Sequence, residues 1–93
     1  MTEVGVERTD DTGGAFTFNV RVADRGSETI HAVTLGSDDF ARLAREGEQP
    51  EAFVQRCFDF LLERESKESI LPNFDVLAIG RYFPEFEDTI TGA

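Results

Sequence analysis

Phe16, Phe18, Val20 and Val22 stand at every second position, with Thr17, Asn19 and Arg21 between them. A period of two predicts a strand over residues 15–23, whose apolar side chains share one face and whose polar ones share the other. Val4 and Val6 alternate with polar neighbours in the same way and predict a shorter strand over residues 3–9. Between the two, Asp10, Asp11, Thr12, Gly13 and Gly14 supply turn chemistry, the glycines being free to take positive φ. Asp24, Arg25, Gly26 and Ser27 form the next turn, and the β-branched Thr29, Ile30, Val33 and Thr34 predict a third strand over residues 29–35. Short turns join neighbouring strands antiparallel, so this part reads as a three-stranded antiparallel meander with one buried face.

After residue 36 the apolar period changes from two to three and four. Ser37 is a good N-cap and Asp38 and Asp39 favour the positive end of a helix dipole, which predicts a helix over 38–46 with Phe40, Leu43 and Ala44 as its apolar stripe and Gly47 at C′. Pro50, suited to a first helical position, opens the strongest helix, 50–65. Its Phe53, Val54, Cys57, Phe58, Leu61 and Leu62 recur in pairs one turn apart, so this helix is expected to lie across the Phe16 face of the sheet. Ser66 caps a short helix over 67–71 that Pro72 ends. Asp75 caps a last helix over 76–90, in which Pro84 removes an amide and predicts a break or kink near Phe83, with fraying from Thr91 to Ala93. The expected core takes the Phe16 face, Val33 and Leu35, the six apolar positions of the long helix, and Phe40, Leu43, Ile70, Leu71, Phe74, Ile79, Phe83 and Phe86.

Ninety-three residues are enough for one core and not two, so residues 1–93 are read as one α+β domain, the meander packed against C-terminal helices. With 40% apolar residues and nine phenylalanines, the chain has the bulk to offset its ordering entropy. No run approaches the roughly 18 apolar residues of a membrane span, and the first residues carry neither a cationic start nor an apolar segment of secretory type. A cytoplasmic location is expected, and Cys57, the single cysteine, fits a reducing compartment.

A formal charge of −10 disfavours nucleic-acid phosphates and anionic lipid as direct partners and favours cationic surfaces. The charge is spread evenly, at −3 over residues 1–36, −4 over 37–66 and −3 over 67–93. Lys67 is the only lysine among nine basic residues, a usage that also suits salt-adapted or high-GC organisms and weakens any functional reading of the charge.

The chemical inventory is sparse. His31, the only histidine, shares strand parity with Val33 and Leu35 and reads as a half-buried or edge-strand residue. Cys57 lies within the apolar face of the long helix, where a thiol behaves as a small hydrophobe. The pairs Asp38 and Asp39, and Glu85 and Glu87, match no calcium-loop spacing, and Gly13-Gly14 lacks the following residues of a phosphate loop. No catalytic residue, cofactor or metal ligand is assigned. The surface expected to meet a partner is Arg81, Tyr82, Pro84 and Glu85, where aromatics crowd around a proline.

Lys67 to Leu71, Phe74-Asp75 and Arg81 to Phe86 resemble the C-terminal signature of a small family of uncharacterised prokaryotic proteins, in which Lys-Glu-Ser-Ile-Leu precedes Phe-Asp and then Arg-Tyr-Phe-Pro-Glu-aromatic. The resemblance extends back over the long helix and the Phe16 strand. It implies N-terminal strands followed by C-terminal helices, and it brings no activity. The leading expectation is a non-catalytic module that binds another protein or a second copy of the chain. The alternatives are an acidic mimic of DNA that occupies a nucleic-acid-binding protein and a small enzyme pairing a carboxylate with His31.

Overall fold

The computed structural model describes residues 2–11 and 13–92; Thr12, within the expected first turn, and Ala93, at the expected frayed end, lie outside them. Its architecture is α+β, a four-stranded mixed sheet with helices packed against it. Strands β1 (Glu3–Asp10), β2 (Ala15–Asp24) and β3 (Ser27–Gly36) form the antiparallel meander, and a fourth strand, β4 (Asn73–Asp75), adds parallel to β3. The expected three-stranded sheet is therefore one strand short.

Register follows from the apolar alternation. Val4 pairs with Val22, Val6 with Val20, Phe18 with Val33, and Val33 in turn with Phe74, so one face collects all of them. The row Gly5, Arg21, Ile30 lies on the other face, where Ile30 is 53% exposed. Arg25 and Gly26 join β2 to β3 with φ of 52° and 79°, a two-residue hairpin of the kind that needs positive φ at both positions and for which glycine is suited.

Helix α1 (Ser37–Leu43) stops three residues earlier than its sequence suggests. Ala44 turns extended because the carboxylate of Glu48 accepts from the Arg45 amide and from Arg56, which pins residues 44–49 as a turn; Gly47, at φ 78°, serves that turn and not the helix end. Ser37 is the first helical residue and not the N-cap, and its hydroxyl donates to the Gly14 carbonyl at 3.0 Å.

Helix α2 (Pro50–Leu62) crosses the buried face of the sheet. Phe58 lies with its ring 5.5 Å from that of His31 and 6.0 Å from that of Phe74. The helix ends before the expected residue 65, in a turn where the Arg64 and Glu65 amides both reach the Leu61 carbonyl. Phe60, outside the stripe read from the sequence, is buried as well, since it faces away from the sheet onto Phe86 and Phe83, with ring centroids at 5.1 and 5.8 Å. The helix thus has two apolar contacts, one to the sheet and one to the C-terminal segment.

The helix expected over 67–71 is a single 3₁₀ turn, Lys67–Ser69, after which the chain runs extended into β4. Pro72 suits this route, having no amide to give, and its carbonyl accepts from the Ala32 amide at 2.8 Å. Beyond β4 the expected helix 76–90 is three pieces. Asp75 caps a 3₁₀ turn, Val76–Ala78, by accepting from the Leu77 amide, and helix α3 (Ile79–Tyr82) continues it. Phe83 then turns extended ahead of Pro84, as the proline predicts, and helix α4 (Phe86–Thr91) closes the chain, terminated by Gly92 at φ 76°.

Candidate docking surface

The C-terminal end of α2, the extended run into β4 and α3 converge on an apolar groove of about 110 Å³. Ile70, Phe74, Ile79 and Leu61, all buried, form its floor. Two large apolar side chains stand out from its edges: Leu71 is 43% exposed and Tyr82 66% exposed. Each is placed by its backbone. Ile70 and Leu71 are neighbours in an extended run, so when Ile70 points inward Leu71 points outward, and the core role expected of Leu71 does not hold. Tyr82 follows Ala78 by one helical turn, which brings both to the groove while Ile79 faces the core.

The surface expected from the sequence is exposed at all four positions, and only Tyr82 lines the groove. Arg81 is its exposed neighbour, whereas Pro84 and Glu85 lie past the break at Phe83, with Glu85 accepting from Arg64 at 3.2 Å. The aromatic cluster therefore divides: Phe86 is buried, Phe83 is half-buried on Phe60, and Tyr82 faces outward. Sequence reasoning missed Leu71, Glu65 and Ser69 as parts of this groove. The signal for Leu71 lay in Pro72, which favours an extended predecessor.

His31 supports the groove from behind. It is 2% exposed on a strand flanked by β2 and β4, so the half-buried or edge-strand reading is corrected to full burial. Its Nδ1 lies 2.8 Å from the Leu71 carbonyl and its Nε2 2.8 Å from the Thr29 hydroxyl. A carbonyl can only accept, so Nδ1 carries the hydrogen, and in the neutral ring Nε2 accepts from Thr29. With both nitrogens engaged, the ring anchors the backbone of Leu71, the residue at the groove's lip.

The other chemical candidates are spread apart. Cys57 is 1% exposed, and burial raises its thiol pKa well beyond the ordinary range. Asp39 approaches Arg42 at 3.5 Å in the first turns of α1. Glu85 and Glu87 go to different arginines, Arg64 and Arg42. Among the described residues no group of three or more His, Cys, Asp or Glu side chains is placed to hold a metal ion, and no helix is long and apolar enough to cross a membrane.

Ion pairs organise part of the remaining charge. Arg8 holds Glu51 through two hydrogen bonds of 2.9 and 2.7 Å, tying β1 to α2. Arg56 holds Glu48 through two of 2.7 Å and donates a third, of 2.6 Å, to the Ile90 carbonyl, tying α2 to α4. These bonds lower the carboxyl pKa of Glu48 and Glu51 below the ordinary value. Lys67, 4% exposed, reaches Asp24 at 2.5 Å and Glu68 at 2.8 Å, joining the base of the β2–β3 hairpin to the 3₁₀ turn. By contrast, the side chains of Glu65, within the groove, and Arg81, beside it, make no hydrogen bond or ion pair among the described residues. No family model, curated protein or solved structure matches this chain.

Proposed function

We propose that this protein is a non-catalytic, cytoplasmic interaction module that binds a protein partner through the surface centred on Leu71 and Tyr82. The observation that carries this reading is the exposure of these two large apolar side chains, both lining one groove. Such residues cost solvation when left bare, and tyrosine is enriched at contact surfaces because a rigid apolar ring ends in a hydroxyl. The engaged nitrogens of His31 supply no support for a carboxylate and histidine enzyme. DNA mimicry gains none from a surface on which Glu28, Glu48, Glu51, Glu85 and Glu87 are each bound to an arginine. Membership of the prokaryotic family suggested by the C-terminal signature is compatible with this proposal and adds no activity to it.

The test is a pull-down from extract of the protein's own cells, run in parallel with a Leu71→Ser/Tyr82→Ser variant. A protein retained by the wild type and lost by the variant supports the reading. Identical recoveries with both, or no specific recovery at low salt, would count against it.

A further inference from the structure

We infer that the groove takes a cationic segment of a protein partner, one apolar side chain entering between Leu71 and Tyr82 while a lysine or arginine within two positions of it pairs with Glu65. The inference rests on the groove being a docking site. Its size limits the occupant first. A volume of about 110 Å³ fits a single leucine, methionine or phenylalanine side chain, and lies well below the ~300 Å³ at which small-molecule pockets begin.

Charge then selects among protein segments. Glu65 is a half-buried carboxylate in an apolar lining, without a partner among the described residues. Arg8, Arg21, Arg42, Arg56, Arg64 and Lys67 are occupied by other carboxylates. Covering Glu65 with a neutral apolar segment would strip its water and return nothing, whereas an incoming ammonium or guanidinium would satisfy it. The chain's charge of −10 adds a field that draws cations and repels a second copy of itself. Arg81 is exposed beside Tyr82 but does not line the groove, so it does not fill this role.

A phage-displayed random dodecapeptide library, panned against the intact protein and against the Leu71→Ser/Tyr82→Ser variant, tests the inference. Thermal unfolding of each variant checks that it is folded. The expected result is enrichment, on the wild type alone, of peptides with an apolar residue within two positions of Lys or Arg. Glu65→Gln should weaken the best such peptide about three- to fivefold at low salt, a difference that shrinks as salt screens the pair. Peptides that need the groove but are neutral or acidic, or that ignore Glu65→Gln, would overturn the cationic occupant and leave the docking site standing. Enrichment that survives the double substitution, or no enrichment at all, would overturn the docking site itself. Self-association of the chain alone that Tyr82→Ser abolishes, followed by sedimentation, would overturn the inference by assigning a second copy.

Discussion

His31 shows how one residue can carry both core and surface. Its ring packs on Phe58 in the interior, and its Nδ1 holds the carbonyl of Leu71 at the groove. Replacing it with alanine removes buried volume and leaves that carbonyl without its donor, so His31→Ala should cost about 3 kcal/mol of stability, read from the urea midpoint. A loss under about 1 kcal/mol would mean that the site collapses or hydrates at little cost. Its identity as the only histidine was visible in the sequence, and its parity placed it on the apolar face. Its full burial was not visible, because that depends on β4 lying along the far side of β3.

Among the elements, α2 is the one whose environment the sequence half reveals. The paired spacing of Phe53, Val54, Cys57, Phe58 and Leu61 identifies the stripe that meets the sheet. Phe60 belongs to the other side and is buried only because Phe83 and Phe86 come back over it, with Arg64 stacked 3.6 Å from its ring centroid. Phe60→Ala should therefore destabilise the protein by about 3–4 kcal/mol, as a core phenylalanine does, although a pattern reading leaves it off the core face. An effect near zero in thermal or denaturant unfolding would show that the C-terminal segment does not pack there in solution. β4 is the converse case: three residues are too few to display a period, and its pairing partner lies some forty positions away.

At the scale of the whole molecule, the charge both stabilises and strains. The carboxyl pKa values of Glu48, Glu51 and Glu87 are lowered by hydrogen bonds from Arg56, Arg8 and Arg42. A lowered folded-state pKa gives stability that is fully present above the ordinary glutamate value of 4.5 and is lost as pH falls through the folded values. Against this, the surplus negative charge repels itself at neutral pH and is relieved by salt. Urea midpoints should thus rise with added sodium chloride at pH 7 and fall as pH drops below about 4. The Arg56→Met variant should show a shallower acid limb than the wild type. An unchanged acid limb in that variant would remove the Glu48 pair from the account.

What the sequence determined by itself was everything set by local period and stereochemistry. The three antiparallel strands follow from alternation, the long helix from paired apolar positions after Pro50, and the break near Phe83 from Pro84. These depend on interactions between residues near one another in the chain, which the chain order itself displays. Only the tertiary structure decided the rest: the parallel addition of β4, the burial of His31 and Phe60, and the outward turn of Leu71. Each is fixed by a contact between distant segments, Pro72 with Ala32, Leu71 with His31, or Phe86 with Phe60. The groove beside Tyr82 is assembled from three such segments, so its composition could be read only once the fold had brought them together.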